Sequence, residues 1–210
     1  NNGWCRGGGI YNTGRTLLIN NLIANNSFDA GNEVVNMYAR INGAGVYNEA
    51  AIDIYYCTIT ENVAACIDYD DFATGSLNFG GGFYNTGTEA TPNLVGCILL
   101  NNYSENSTTG VMAYNDMYHD GASFVLSNTI YRTAGVKGSG YTYVNCVRWA
   151  DRYTLFTDAE AEDYTLVSDA VAIDKVAEDA TFHYHQYDLR NDPYLRIYNE
   201  VQDIGCYEYQ

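Results

Sequence analysis

Lysine is almost missing from this chain: only Lys137 and Lys175 occur. Ten Lys and Arg stand against 26 Asp and Glu, for a formal net charge of −16. Such a field repels nucleic acid, anionic membrane surfaces and, unless a metal ion bridges, polyanionic glycans. Proline is scarce, two against 20 glycines, so turns must be built from Gly, Asn and Asp. No apolar run approaches the roughly 18 residues that span a bilayer. No basic start followed by an apolar stretch marks a signal peptide. Sustained 3.6-residue periodicity is lacking, which removes the helical fold classes. Among Cys5, Cys57, Cys66, Cys97, Cys146 and Cys206 there is no CxxC pair, so neither a zinc site nor a thioredoxin-type site is indicated.

What the chain has is repetition. Gly7-Gly8-Gly9-Ile10-Tyr11-Asn12 returns as Gly43-Ala44-Gly45-Val46-Tyr47-Asn48 and as Gly80-Gly81-Gly82-Phe83-Tyr84-Asn85, with third glycines 36 and 37 residues apart. These glycines lack the Lys-Ser/Thr that follows a phosphate loop and read as turn residues. A second element, aliphatic-x-x-Asn, ends at Asn26, Asn62 and Asn102, at steps of 36 and 40. Two motifs on one period mark stacked coils. A weaker fourth copy is read at Gly110–Asn115 and Asn128–Ile130, with Thr133 where Asn is expected, and a shorter echo at Val144–Val147. Strands are expected at Leu17–Ile19, Ala51–Ile54, Leu94–Leu99, Phe124–Leu126 and Tyr141–Val144.

These readings predict an all-β chain: a single-stranded right-handed parallel β-helix of four to five coils over residues 1–150, with 151–210 as a C-terminal capping segment of the same domain. Strand alternation turns Ile10, Val46 and Phe83 inward and Tyr11, Tyr47 and Tyr84 outward. Asn12, Asn48 and Asn85 fall at a bend facing in, where stacked amides can bond one another, and Asn26, Asn62 and Asn102 make a second such ladder. Ile23, Ile59 and Leu99 join the core. Cys57 and Cys97 share a phase and stack inside as free thiols. The longest intervening segments, Ser27–Asn42, Val63–Asn78 and Ser104–Gly121, all leave from one corner. The chain opens at Asn1 almost inside a repeat, which predicts a missing segment or a partner at the first coil.

Candidate binding residues are the tyrosines Tyr11, Tyr47 and Tyr84, whose ring faces and hydroxyls suit sugars, within a chain of 21 tyrosines. Asp68, Asp70 and Asp71, with Glu61 nearby, form the densest acidic cluster. Calcium is the one cofactor such a loop could hold, although a solvated acidic loop needs no ion. Asp53 is the single carboxylate inside an expected strand. Asp116, His119 and Asp120 in a loop, and His183 with His185, are weaker metal or acid–base candidates.

The C-terminal third carries an ordered set: Leu155-Phe156-Thr157-Asp158, Asp163-Tyr164-Thr165-Leu166, Ala172-Ile173-Asp174 and Asp203-Ile204-Gly205-Cys206-Tyr207-Glu208. With the Gly-Gly-x-aliphatic and aliphatic-x-x-Asn elements, it resembles the choice-of-anchor Q family and the repeats of polymorphic outer-membrane proteins, secreted right-handed parallel β-helices common in Bacteroidetes. Cys206 stands where that family has Ala, and Ala170-Val171 where it has Ser-Pro. The resemblance implies a pectate-lyase-like architecture at the cell surface and supplies no activity. The leading functional expectation is a non-catalytic binding or adhesion module for a neutral carbohydrate or a protein partner at the cell surface. A polysaccharide lyase or glycoside hydrolase on the same scaffold is the alternative, and a structural subunit of an extracellular assembly a third.

Overall fold

The computed structural model describes residues 2–28, 38–65, 79–106, 111–121, 123–177, 187–197 and 201–210. Five coils stack as a parallel β-helix with three sheets of five strands each. The first sheet holds Ile10–Asn12, Val46–Asn48, Phe83–Asn85, Met117–His119 and Val136–Gly138. The second holds Thr16–Ile19, Ile52–Tyr55, Pro92–Val95, Phe124–Ser127 and Tyr141–Val144. The third holds Leu22–Ala24, Thr58–Thr60, Ile98–Leu100, Ile130–Tyr131 and Val147–Arg148. All pairings within these sheets are parallel and in register with the repeats, so Tyr11 faces Tyr47 and Tyr47 faces Tyr84.

Left-handed residues make the corners. Asn20, Tyr56, Gly96, Asn128 and Asn145 turn the chain between the second and third sheets, all at φ of 47–63°. Asn25, Glu61 and Asn101 turn it after the third, and Gly7, Gly43 and Gly80 lead it back to the first. Asn dominates because its short polar side chain tolerates this conformation. Gly96 explains one difference from expectation: Leu94–Leu99 is not one strand but two, broken where φ reaches +63°.

Each sheet turns one set of side chains inward. Ile23, Val46, Ile54, Ile59, Phe83, Leu94, Leu99, Phe124 and Leu126 form the solenoid core, with Cys57 and Cys97 among them as free, fully buried thiols. Burial drives both thiols up, Cys97 to about 12, so they stay protonated and unreactive. Ile10 is only half-buried because its coil lies at an end of the stack.

Two columns of buried amides run parallel to the axis. In one, the Asn12 amide donates to Asn48 Oδ1 at 2.6 Å, and Asn48 to Asn85 Oδ1 at 2.5 Å. In the other, Asn26 donates to Asn62 and Asn62 to Asn102, both at 2.8 Å. Asn62 and Asn102 also donate to backbone carbonyls of their own and the preceding coil. The repeat glycines make room for them: a Cβ on Gly45 would lie 2.5 Å from the Gly82 carbonyl and 3.0 Å from the Asn62 amide.

The fourth coil is not where the motif echo puts it. The strand opposite Phe83-Tyr84-Asn85 is Met117-Tyr118-His119, not the 110–115 segment, so Asp116 to His119 lie at and in a strand instead of a loop. The second echo is one residue out of phase, since Ile130 and not Thr129 pairs with Ile98. The intervening segments do leave from one corner: Ser27–Phe28, Val63–Ala64 and Tyr103–Asn106 stack in parallel, and Val111–Tyr114 adds to the last of them antiparallel, as a further small sheet.

The C-terminal segment covers a flank. Leu155, Phe156, Tyr164, Leu166, Ala172, Val176 and Ile204 pack on the outward Ile98, Leu100 and Ile130 of the third sheet. The segment is pinned along the stack, by Asn20 to the Tyr187 carbonyl, Asn25 to the Tyr164 hydroxyl, and Gly205 N–H to the Gly96 carbonyl. The tail motif is a buried clasp. Asp203 accepts from the Asp174 and Tyr209 amides, and Glu208 accepts the Asp203 amide beside Arg196. Among the described residues no helix is long and apolar enough to cross a membrane.

The amide columns yield a direct test. Asn62→Ala removes a fully buried side chain that bonds both neighbouring coils and leaves carbonyls unsatisfied. Urea unfolding should show a loss of about 2–4 kcal/mol. Leu17→Ala, on an exposed position, should lie within about 0.5 kcal/mol of the parent.

Candidate functional site

The outer side of the first sheet carries the tyrosine column in the direction that alternation predicts. It is one rung longer than the repeats suggest. Tyr11 meets Tyr47 edge-on at 5.4 Å; Tyr47 stacks on Tyr84 and Tyr84 on Tyr118, each at 5.0 Å. Exposure is uneven: Tyr11 is 48% exposed, whereas Tyr47 and Tyr84 are buried at 3% and 9%. The stacked rings spend their faces on each other, which leaves Tyr11 as the accessible aromatic surface of the three.

One bend residue supplies polar partners. Glu49 follows Asn48 and accepts from the Tyr11 hydroxyl at 2.9 Å, the Tyr47 hydroxyl at 3.1 Å and Arg6 at 3.2 Å. Arg6 also reaches the Tyr11 hydroxyl and lies 5.2 Å from the Tyr47 ring centroid. Burial raises the Tyr47 hydroxyl, opposed by the Arg6 charge, and lifts Tyr84 to about 12. Both phenols are therefore neutral at physiological pH. Tyr11, Arg6 and Glu49 make a fixed aromatic, cationic and anionic group at the surface. Arg6 and Glu49 escape sequence reading because neither belongs to a repeated element; Tyr118 escapes because its coil lacks the flanking Gly and Asn.

Both amide columns end in the fourth coil on groups that accept. Asn85 meets His119 Nδ1 at 2.9 Å, and Gly121 N–H donates to the same atom at 3.2 Å. Two donors on Nδ1 place the ring proton on Nε2. Burial lowers the His119 pKa and keeps the ring neutral. Asn102 donates its backbone and side-chain N–H to Asp116 Oδ1, at 2.8 and 3.1 Å. Asp116 occupies the phase that glycine fills in the first three coils, and its carboxyl continues the amide column. It is fully buried, and burial raises its pKa to about 7, against the pull of Arg132. Arg132 is itself buried, donating to Asn101 and the Ala150 carbonyl and lying 3.6 Å from the Tyr114 ring centroid.

Asp116 and His119 thus terminate different columns, while Asp120 is exposed, so the three form no joint site. Among the described residues no His, Cys, Asp and Glu group is arranged to hold a metal ion. Asp53 points outward and accepts from Asn93 at 3.3 Å. Asp68, Asp70, Asp71, His183, His185 and Cys66 lie outside the described residues.

The two terminators set opposite pH limits. Asp116 has its folded pKa above the ordinary 3.8, so the folded state holds the proton and stability falls as pH rises from about 4 through 7. Asp116→Asn should gain stability over the parent near pH 8, by up to about 4 kcal/mol, and far less near pH 4. His119 has its folded pKa below 6.5, so stability falls as pH drops through the unfolded value. His119→Asn should flatten that acid limb. Melting temperatures against pH for the two variants check both. No family model, curated protein or solved structure matches the chain.

Proposed function

We propose that the chain is a secreted or cell-surface β-helix that works as a non-catalytic binding or adhesion module. It takes a neutral carbohydrate, or a surface partner, on the outer side of the first sheet. The observation that carries this reading is the half-exposed Tyr11 ring held against a Glu49 that three donors fix in place. An accessible aromatic face packs against sugar C–H groups, and Arg6 and Glu49 flank it with hydrogen-bonding groups for hydroxyls. Net charge of −16 favours a neutral ligand over an anionic one. The resemblance of repeats and tail to surface β-helix proteins supports the location.

A hydrolase or lyase reading would look to Asp116, whose pKa near 7 suits a general acid. Its burial and the close approach of Gly135 to Oδ2 leave no room for a substrate there, so the reading gains nothing from it.

The column separates binding from folding. Tyr11→Ala should abolish retention on a neutral-glycan array while lowering stability by no more than about 1.5 kcal/mol. Tyr84→Ala should lose roughly 2–4 kcal/mol. An array in which the parent binds nothing, or Tyr11→Ala binds like the parent, overturns the assignment.

A further inference from the structure

The fifth coil ends all three sheets. Among the described residues nothing pairs beyond Val136–Gly138, Tyr141–Val144 and Val147–Arg148. The middle strand is open, with Thr142 exposed, Tyr143 at 40% and Val144 at 45%. Phe124 N–H donates to the Gly140 carbonyl at 3.1 Å and Asn128 N–H to the Val144 carbonyl at 2.8 Å. In a parallel ladder this phase turns the Tyr141 and Tyr143 N–H groups away from the sheet, toward the free edge.

Charge marks the same place. Residues 121–150 contain Arg132, Lys137 and Arg148 and no Asp or Glu, in a chain of net −16. Arg132 is buried and engaged, so Lys137 and Arg148 give this stretch its exposed charge, with Asp120 and Asp151 exposed just outside it on either side. Lys137 donates to the Ala134 carbonyl and Arg148 to the Tyr131 hydroxyl, and each retains further N–H groups. They sit on the first- and third-sheet edges, while the strand between them carries no charge. Exposed edges are usually blunted along their length by charge or proline; here the charges stand to either side of an unblunted strand.

We propose that the edge of the fifth coil docks an extended, acidic segment of a partner protein, which adds to Tyr141–Val144 as a further strand. Backbone pairing supplies affinity, and Lys137 with Arg148 selects acidic side chains. A second copy meeting this end through its own first coil brings Arg15 and an Arg6 already paired with Glu49, with no acid in residues 1–28, and two fifth coils bring like charge to like. A long polyanion meets the field of the whole acidic molecule, whereas a short strand senses charge within a Debye length of roughly 8 Å.

The probe is a short capped peptide alternating valine with glutamate, measured with the whole chain by calorimetry and amide hydrogen exchange. Saturable binding that slows exchange at Tyr141 and Tyr143 is expected. The double variant Lys137→Glu/Arg148→Glu, with a parent-like melt, should weaken it at least about tenfold. Tyr143→Ala and Tyr143→Pro lose the same ring, but only proline removes the outward N–H, so only Tyr143→Pro should lose the peptide. No saturable binding, equal binding of a proline-interrupted acidic peptide, or indifference to the double variant overturns the proposal. So does tighter binding of a short oligonucleotide or sulfated glycan at this edge, or self-association that the double variant abolishes.

Discussion

The side-chain amide that bonds across coils is the interaction on which the rest of this structure depends. A β-helix corner leaves backbone groups that the sheets cannot pair, and buried unpaired groups are expensive. Asn62 answers that need by donating to carbonyls of two coils while accepting from a third residue above it. The glycine two residues before each Tyr-Asn pair makes room for it. Sheet register follows, since only one alignment of the coils brings the asparagines into contact.

The columns have a direction, and the direction explains the fourth coil. Each amide donates forward and accepts from behind, so the last member must present an acceptor. Asp116 Oδ1 and the unprotonated Nδ1 of His119 both meet that requirement. Asp116 and His119 are the polar ends of two chains of dipoles, and their titration reports on folding. Beyond them, Gly135 and Gly138 stand at the corresponding fifth-coil phases, too small to carry either column on.

The fold was legible because glycine, asparagine and inward aliphatics recur at fixed offsets, each for a separate physical reason. The repeated motifs of coils one to three fall in register where the period puts them, although Leu94–Leu99 is two strands. The fourth coil does not: Asp116, Met117 and His119 replace the Gly, aliphatic and Asn that a pattern relies on, although each does the same geometric work. Register spacing gave no help either. Met117 follows Phe83 by 34 residues, but Val136 follows Met117 by only 19, because no long segment leaves the fourth coil. For the tyrosines, alternation gave direction but not cover. Tyr11 and Tyr84 have the same phase and opposite exposure, since one lies at the end of a stack and the other within it. Glu49 and Arg6 carry no pattern, and only the folded chain brings them together.

A stack of repeats in contact only with nearest neighbours would melt like a zipper, fraying from its ends. The C-terminal segment changes that statistical mechanics. By lying across the outside of the third sheet from Asn20 and Asn25 in the first coil to Ile130 in the fourth, it gives distant coils a shared partner. Opening any one of them strips apolar surface from the same strap. The strap thus acts as a long-range coupling added to a one-dimensional chain. It gathers otherwise separable units into a single cooperative block, with the fifth coil at its margin.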